Sequence, residues 1–294
     1  SRKFPLAVKL VLAAPWAFYA VMLLFSSPLI SWGAYRDQLG PTEVRTFESD
    51  MQAVDVSQVP IVDQELAAKL ADKKLGEKPS LGSQVVLGEP TLQQVDGQLL
   101  WVVPLQHSGI FKWLSNLDGT PGYITVSATN CYLLDDLTRY VRFKSALFTG
   151  IVDYSFEIDD SGKPYWVVTT YKNERGFALP EATGIILVDA ATGETQEYGV
   201  DDTPEWVDRV QPENFVLDQI NNSGSYVHGI FNFSNKDKFR ASKGDIIVYN
   251  EGRCYLFTGL TSVGSDESAI GFMMVDMVTK QPLMYQISGA TESA

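Results

Sequence analysis

Histidine and cysteine are nearly absent from this 294-residue chain, which contains two of each. His107 and His228 lie far apart, and the motifs H-x-x-H, C-x-x-C and G-x-S-x-G do not occur. Metal sites and nucleophilic sites need such side chains to converge with further ligands or bases. We therefore expect no metal, no cofactor and no catalytic residues, and we place both histidines in loops or at hairpin edges.

The two cysteines allow two interpretations. Cys131 and Cys254 each precede Tyr-Leu in a predicted strand, 123 positions apart. An oxidising compartment would permit a disulfide between them, and the alternative is two buried free thiols. We expect free thiols.

Basic residues are too few to suggest a nucleic-acid partner. The chain has 23 Lys and Arg against 36 Asp and Glu, a formal net charge of −13. Residues 1–36 hold four basic and no acidic side chains, so the rest of the chain carries −17. Such an acidic body repels phosphate backbones, so we expect no nucleic-acid partner.

What the sequence does have is one long apolar run near its start. From Leu10 to Tyr35 no side chain is charged. As a helix, these roughly 26 residues would span about 39 Å, more than the roughly 30 Å of a hydrocarbon core. Aromatic residues stand toward the two ends and would form interfacial belts. The predicted anchor residues are Trp16, Tyr19, Trp32 and Tyr35.

The charges around this run predict its orientation. Three cations precede it, and Arg36, Asp37 and Glu43 surround its far end. The positive-inside rule then places the N-terminus in the cytoplasm and the body in the periplasm or the extracellular space. A cleaved signal peptide and a buried core helix are the alternatives, and both normally have shorter apolar runs. We expect an uncleaved membrane anchor in contact with the lipid bilayer.

The body contains three similar stretches, each with a strand, a polar turn with glycine, and an aromatic-aliphatic strand. They are QQVDGQLLWVVPLQHSG ending at Gly109, FEIDDSGKPYWVVTTYKN ending at Asn173 and IVYNEGRCYLFTGLTSVG ending at Gly264. A glycine opens a further strand after each, at Gly122, Gly184 and Gly271. In the last two copies, Asp189 and Asp276 begin equivalent turns, which an aspartate can cap.

Three helices are predicted between the sheets. One follows Asp63 as N-cap, one begins near Leu134, and one begins at Pro204 and is split by Pro212. We predict an α+β protein in which an N-terminal transmembrane helix precedes tandem helix-plus-antiparallel-sheet repeats. The predicted units are the anchor (1–36), a linker or first strand (37–60), and repeats 1 (61–133), 2 (134–203) and 3 (204–294).

This pattern resembles the PepSY and PepSY-like modules of bacterial envelope proteins. The residues that carry the resemblance are Tyr165–Val168 and the turn Ile186–Glu194, with a weaker echo at Met274–Gln281. The first copy lacks the D-x-x-T-G turn. The resemblance implies an extracytoplasmic, non-catalytic module, and some such modules are thought to inhibit or regulate partners.

Paired carboxylates are the remaining candidates for chemistry. A glycosidase needs two carboxylates about 5–10 Å apart across a cleft, whereas neighbours on a strand point to opposite faces. A hydrolase would require at least two of four acids to converge: Asp153, Glu157, Asp202 and Asp266. Calcium at Asp159–Gly162 is a further alternative, although the ligand spacing of an EF-hand loop is absent. We expect solvated turn acids.

One loop is unusually apolar and is our predicted partner contact. It contains Ile110, Phe111, Trp113 and Leu114. Such a loop either folds back on the core or binds a partner. The segment Phe231–Phe239, with three phenylalanines, poses the same question.

We therefore expect a non-enzymatic, membrane-anchored extracytoplasmic protein that serves as a structural or accessory subunit of an envelope or membrane complex. A protein partner or self-assembly would provide its contacts. The alternatives are an extracytoplasmic carboxylate-dependent hydrolase and a sensor or inhibitor that binds a ligand or protease.

Overall fold

The computed structural model describes residues 5–46, 62–77, 79, 85–107, 137–250, 252–264 and 268–291. Within them the chain is a mixed α+β protein with several sheets and an apolar helix near its N-terminus. The predicted contact residues Ile110, Phe111, Trp113 and Leu114 lie outside the described residues, as do Cys131 and Asp266.

The apolar run forms two helices rather than one continuous helix. Helix α1 is Leu6–Ser26 and helix α2 is Pro28–Asp37. Pro28 has no N–H and disfavours helical geometry in the residue before it, so Ser27 is extended (φ −77°, ψ 135°). The 21 residues of α1 extend about 32 Å, and none of them is buried. This helix is long and apolar enough to cross a membrane, as an anchor or as a signal sequence.

The described part of predicted repeat 1 contains a helix and two short strand pairs. Helix α3 is Gln64–Gly76, and Asp63 caps it as predicted by accepting the Leu66 N–H at 2.7 Å. Strands β2 (Val85–Leu87) and β5 (Leu105–His107) pair, as do β3 (Thr91–Val95) and β4 (Gln98–Val102). The predicted Asp96-Gly97 turn closes the second pair, with φ of 48° and 72°.

The second unit is one helix on a four-stranded antiparallel sheet. Helix α4 (Leu137–Lys144) precedes strands β6 to β9 in sequential order. Leu137 and Val141 of α4 are fully buried against one face of the sheet. The strands are β6 (Gly150–Ile158), β7 (Pro164–Arg175), β8 (Ala178–Asp189) and β9 (Thr195–Gly199).

The third unit has a helix and a larger sheet. Helix α5 (Glu213–Ser225) buries Val216 and Ile220 against a sheet of order β1-β14-β13-β12-β10, and β11 also pairs with β12. Strand β1 (Glu43–Thr46) follows α2 and pairs in parallel with β14. The other strands are β10 (Phe239–Ala241), β11 (Ile246–Asn250), β12 (Arg253–Ser262), β13 (Ser268–Asp276) and β14 (Pro282–Thr291).

The turns at Asp189 and Asp276 have the same geometry. In each, the carboxylate Oδ1 accepts the N–H groups two and three residues later, at distances between 2.8 and 3.0 Å. A cation from the preceding hairpin, Lys163 or Arg253, lies 2.7 Å from the other carboxylate oxygen. Two distant segments of the chain therefore build the same turn with the same partners.

The helix predicted from Pro204 is absent, apart from the part that follows Pro212. Residues 204–211 are irregular, and the N–H groups of Val210 and Gln211 both donate to Met277 O, at 2.9 and 2.8 Å. Val207 and Val210 pack on the second face of the four-stranded sheet. Because these contacts come from the second unit and from Met277, far along the chain, local sequence could not reveal them.

Candidate functional site

The main candidate site is the anchor–body junction, where the end of α1 and all of α2 meet the rest of the molecule. Ser26 is at its centre. Its Oγ donates to Met22 O and accepts the Phe177 N–H, each at 2.7 Å. Phe177 lies at the tip of the β7–β8 hairpin, so one serine hydroxyl joins the apolar helix to the four-stranded sheet.

The hairpin tip fits closely against the helix. Gly176 has φ of +57°, and a Cβ there would collide with Met22 O and Ser26 Oγ. The rings of Tyr19 and Phe177 are 5.8 Å apart. Only glycine combines this conformation with this approach of two backbones.

Helix α2 completes the junction. Its break from α1 leaves carbonyl groups without helical partners, and two side chains satisfy them: Ser31 Oγ donates to Phe25 O at 2.7 Å and Tyr35 OH donates to Ser26 O at 2.5 Å. The Tyr35 ring also packs on Tyr226, at 5.7 Å between centroids. These bonds hold the angle between the two helices.

Trp32 and Tyr35, predicted as interfacial anchor residues, thus lie on α2 and contact the body. The Trp32 ring is 3.6 Å from the Cβ position at Gly229. Trp16 and Tyr19 lie on α1, and Trp16 is 74 % exposed. The break at Ser27 separates the two predicted belts onto different helices.

A polar connection lies just beyond α2. Gln38 Nε2 donates to Pro180 O at 2.9 Å, and Lys280 Nζ donates to Gln38 O at 2.9 Å and pairs with Glu181. Leu39 follows and is 2 % exposed in the core of the third unit. One lysine therefore joins the anchor segment, the second unit and the third unit.

Lys280 is a junction residue that sequence reasoning missed. It occupies the position that Gly193 occupies in the equivalent turn, with φ of +62° against +74°. A lysine there carries backbone strain that a glycine avoids. In the sequence, the lysine at the glycine position of the D-x-x-T-G turn was the only signal that this residue is unusual.

The second candidate is a carboxylate cluster, formed by Glu157, Asp208, Arg209 and Tyr249. Glu157 is 2 % exposed, and it accepts Ser155 Oγ–H at 2.7 Å and the Asp208 N–H at 3.2 Å. Asp208 Oδ2 accepts the Gln94 N–H at 3.1 Å and lies 3.0 Å from Tyr249 OH. The cluster joins all three units of the body.

Burial dominates the electrostatics of this cluster. It raises the pKa of Glu157 to about 7, and the negative charge of Asp208 adds to the effect. Burial likewise raises the pKa of Asp208 to about 6. Arg209, whose Nη1 bonds Glu213 at 2.8 Å, opposes both shifts by favouring the ionised carboxylates.

Of the four acids proposed for a hydrolase, Asp266 lies outside the described residues, and Asp153, Glu157 and Asp202 differ in their exposure to solvent. Asp153 and Glu157 both interact with the Arg209 charge. Glu157 is sealed from solvent, however, and Asp202 is exposed at the end of a 3-10 turn (Val200–Asp202). A carboxylate that substrate cannot reach does not act on it directly.

The remaining predicted polar residues have local partners. His228 Nε2 lies 2.8 Å from Asp237 Oδ2, and both side chains are exposed. Asp159 Oδ1 accepts the N–H groups of Ser161 and Lys163, so this oxygen already serves the turn. Cys254 has a free thiol and is 2 % exposed. In the described ranges, no group of three or more His, Cys, Asp or Glu residues could hold a metal ion.

The chain matches no protein-family model, no curated protein sequence and no solved structure.

Proposed function

We propose that this protein is a non-enzymatic, membrane-anchored extracytoplasmic subunit that holds its body in a defined position over the membrane for contact with a protein partner. In this proposal α1 remains in the bilayer, the N-terminus is cytoplasmic and the body lies in the periplasm or the extracellular space. The anchor–body junction is the observation that carries it. A flexible tether would suffice to keep a domain near a membrane, whereas this junction restricts its orientation.

The exposed surface of α1 supports the same proposal. None of its residues is buried, so lipid or a neighbouring helix can cover the part of its surface that does not contact the β7–β8 hairpin. Strand β9 forms an outer edge of the four-stranded sheet in the described part of the chain, and such edges accept further strands. These surfaces are suited to assembly.

The organisation of the body is also part of the proposal. We infer tandem PepSY-like repeats, and the matched turns at Asp189 and Asp276 support this for the second and third units. PepSY-like modules are typically extracytoplasmic and non-catalytic, which agrees with the sealed carboxylate cluster. The loop with Phe111 and Trp113 remains the predicted partner contact.

Native mass spectrometry of the full chain, purified in mild detergent from its native membrane, tests the proposal. We expect a defined co-purifying protein or a homo-oligomer. Trp113→Ala should reduce the assembled fraction several-fold, because large aromatic side chains dominate contact energies. Phe143→Ala removes another exposed aromatic side chain and serves as the control. A monomer throughout would contradict the proposal and favour ligand and hydrolase screens.

A further inference from the structure

Three phenylalanines lie exposed on the side of the body that meets the anchor. Phe177 is 50 % exposed, Phe231 77 % and Phe233 85 %. Large aromatic side chains that stay exposed can mark a surface that another molecule covers. Their positions relative to α1 indicate what that is.

Phe177 is level with the apolar part of α1. Its N–H bonds Ser26, and its ring contacts Tyr19. Seven residues separate Tyr19 from Ser26, which is about 10 Å along a helix axis. If α1 spans a bilayer, the hairpin tip therefore lies beside its last two turns, at the depth of the interface rather than above it.

Phe231 and Phe233 belong to a loop on the same side. The loop follows α5, and its Gly229 lies against Trp32, about one helical turn after the start of α2. The two phenylalanine rings are 6.2 Å apart. Lys236 follows at an exposed position where it can reach anionic headgroups, and Lys238 follows at a half-buried position.

The loop is built to keep this shape. Asn232, between the two phenylalanines, is 8 % exposed, and its side chain bonds the backbone O and N of Lys236 at 2.8 and 3.2 Å. Its polar residue therefore points inward while its two apolar neighbours point outward. A loop surrounded by water would normally expose its polar side chains and bury its apolar ones.

We propose that Phe177, Phe231 and Phe233 form a lipid-contacting rim that inserts into the interfacial layer of the bilayer around α1. The rim rests on the proposed anchoring of the chain. Aromatic rings prefer this layer of a membrane, and the rim is continuous with the helix that enters it. Together with α1 it gives the body several points of contact with the membrane.

Site-directed fluorescence tests the rim in the full chain. In a Cys131→Ser background, an environment-sensitive thiol label is attached to Phe177→Cys, Phe231→Cys or Phe233→Cys. Cys254 stays in place because it is buried and burial raises the pKa of its thiol. The control is Ala191→Cys, an exposed position at the opposite end of β8, about 36 Å from Phe177.

The labelled chains are reconstituted into phosphatidylcholine vesicles with and without a nitroxide lipid. We expect the lipid quencher to act on all three rim labels, and quenching by aqueous iodide to be several-fold weaker there than at position 191. Rim labels that behave like position 191 would overturn the proposal. So would labels that are shielded from iodide but untouched by the lipid quencher, since a protein would then cover the rim.

Vesicle flotation of the same samples separates the two proposals. A chain that floats, with rim labels in water, retains its anchor but has no lipid-contacting rim. A chain that fails to float has neither.

Discussion

Glu157 and Asp208 place two carboxyl groups in the interior, beside a single arginine. Ionising both would leave an excess negative charge in a site with little water, which is why their pKa values rise to about 7 and about 6. Tyr249 connects this pair to the first unit, since its OH lies 2.6 Å from Leu92 O and also contacts Asp208. The protonation state of these residues therefore affects how the three units hold together.

Stability should fall as the pH rises through the range in which Glu157 ionises. The unfolded glutamate loses its proton near pH 4.5 and the folded one near pH 7, so the folded state binds more protons between these values. We expect the free energy of unfolding to decrease by on the order of 2 kcal/mol from about pH 5 to about pH 8. Denaturant unfolding followed by circular dichroism in detergent would measure it.

Glu157→Gln should remove the larger part of this dependence, because glutamine mimics the protonated side chain and does not titrate, and Asp208, with its pKa raised to about 6, accounts for the part that remains. Glu197→Gln, on the exposed face of β9, is the matched control and should retain the full slope. Asp189 does not titrate in this pH range. Partial burial raises its pKa, but the Lys163 ammonium and the turn N–H groups outweigh burial and hold the pKa of Asp189 at about 2. Equal slopes for wild type and Glu157→Gln would contradict the assignment.

At the scale of single elements, the hairpins and turns explain most of the body. Gly184 and Gly271 each begin the apolar half of a strand, and each faces a carbonyl of the next strand. A Cβ at either position would collide with the backbone O of Tyr198 or Tyr285. The glycines are thus required by strand spacing and not by a turn.

Gly184→Ala and Gly271→Ala should each destabilise the fold by about 2–4 kcal/mol, because backbone atoms in the middle of a sheet cannot move aside. Thermal unfolding followed by circular dichroism would measure the loss. Gly76→Ala, at the end of α3, meets no atom within 4 Å and should change the melting temperature little. If all three variants melted together, the close approach of the strands would be wrong.

At the scale of the whole molecule, the junction decides how the body stands relative to α1. Ser26 and Phe177 are 151 positions apart in sequence, and their hydrogen bond connects the four-stranded sheet to α1. Lys280 reinforces the closure from the third unit by its bond to Gln38. Orientation thus depends on residues from both ends of the sequence.

Gly176→Ala should open the junction, since its Cβ collides with α1. Gly162→Ala is a matched control: it has a comparable positive φ (+82° against +57°) but meets no atom within 4 Å. Both variants carry similar backbone strain, so only the collision differs. We expect hydrogen exchange at the Phe177 amide to accelerate by on the order of fivefold in Gly176→Ala, the equivalent of one lost hydrogen bond. Similar exchange in both variants would show that the tip is not held by α1.

Local sequence determined the features whose causes lie within a few residues. The apolar run, the Asp63 cap, the Asp96-Gly97 hairpin and the aspartate turns all depend on neighbouring backbone and side chains, and the structure has them as predicted. The spacing of apolar residues also predicted that helices and sheets follow one another along the chain, because this spacing is a local property of the sequence.

Tertiary structure alone decided where these elements meet. The hydrogen bond between Ser26 and Phe177, 151 positions apart, fixes the end of α1 against the β7–β8 hairpin. Val210 belongs to no helix in the structure, and the Met277 carbonyl, 67 positions away, accepts its N–H. The anchor–body junction and the carboxylate cluster join residues from distant segments, and their burial, charge and hydrogen bonds exist only once the units are packed together.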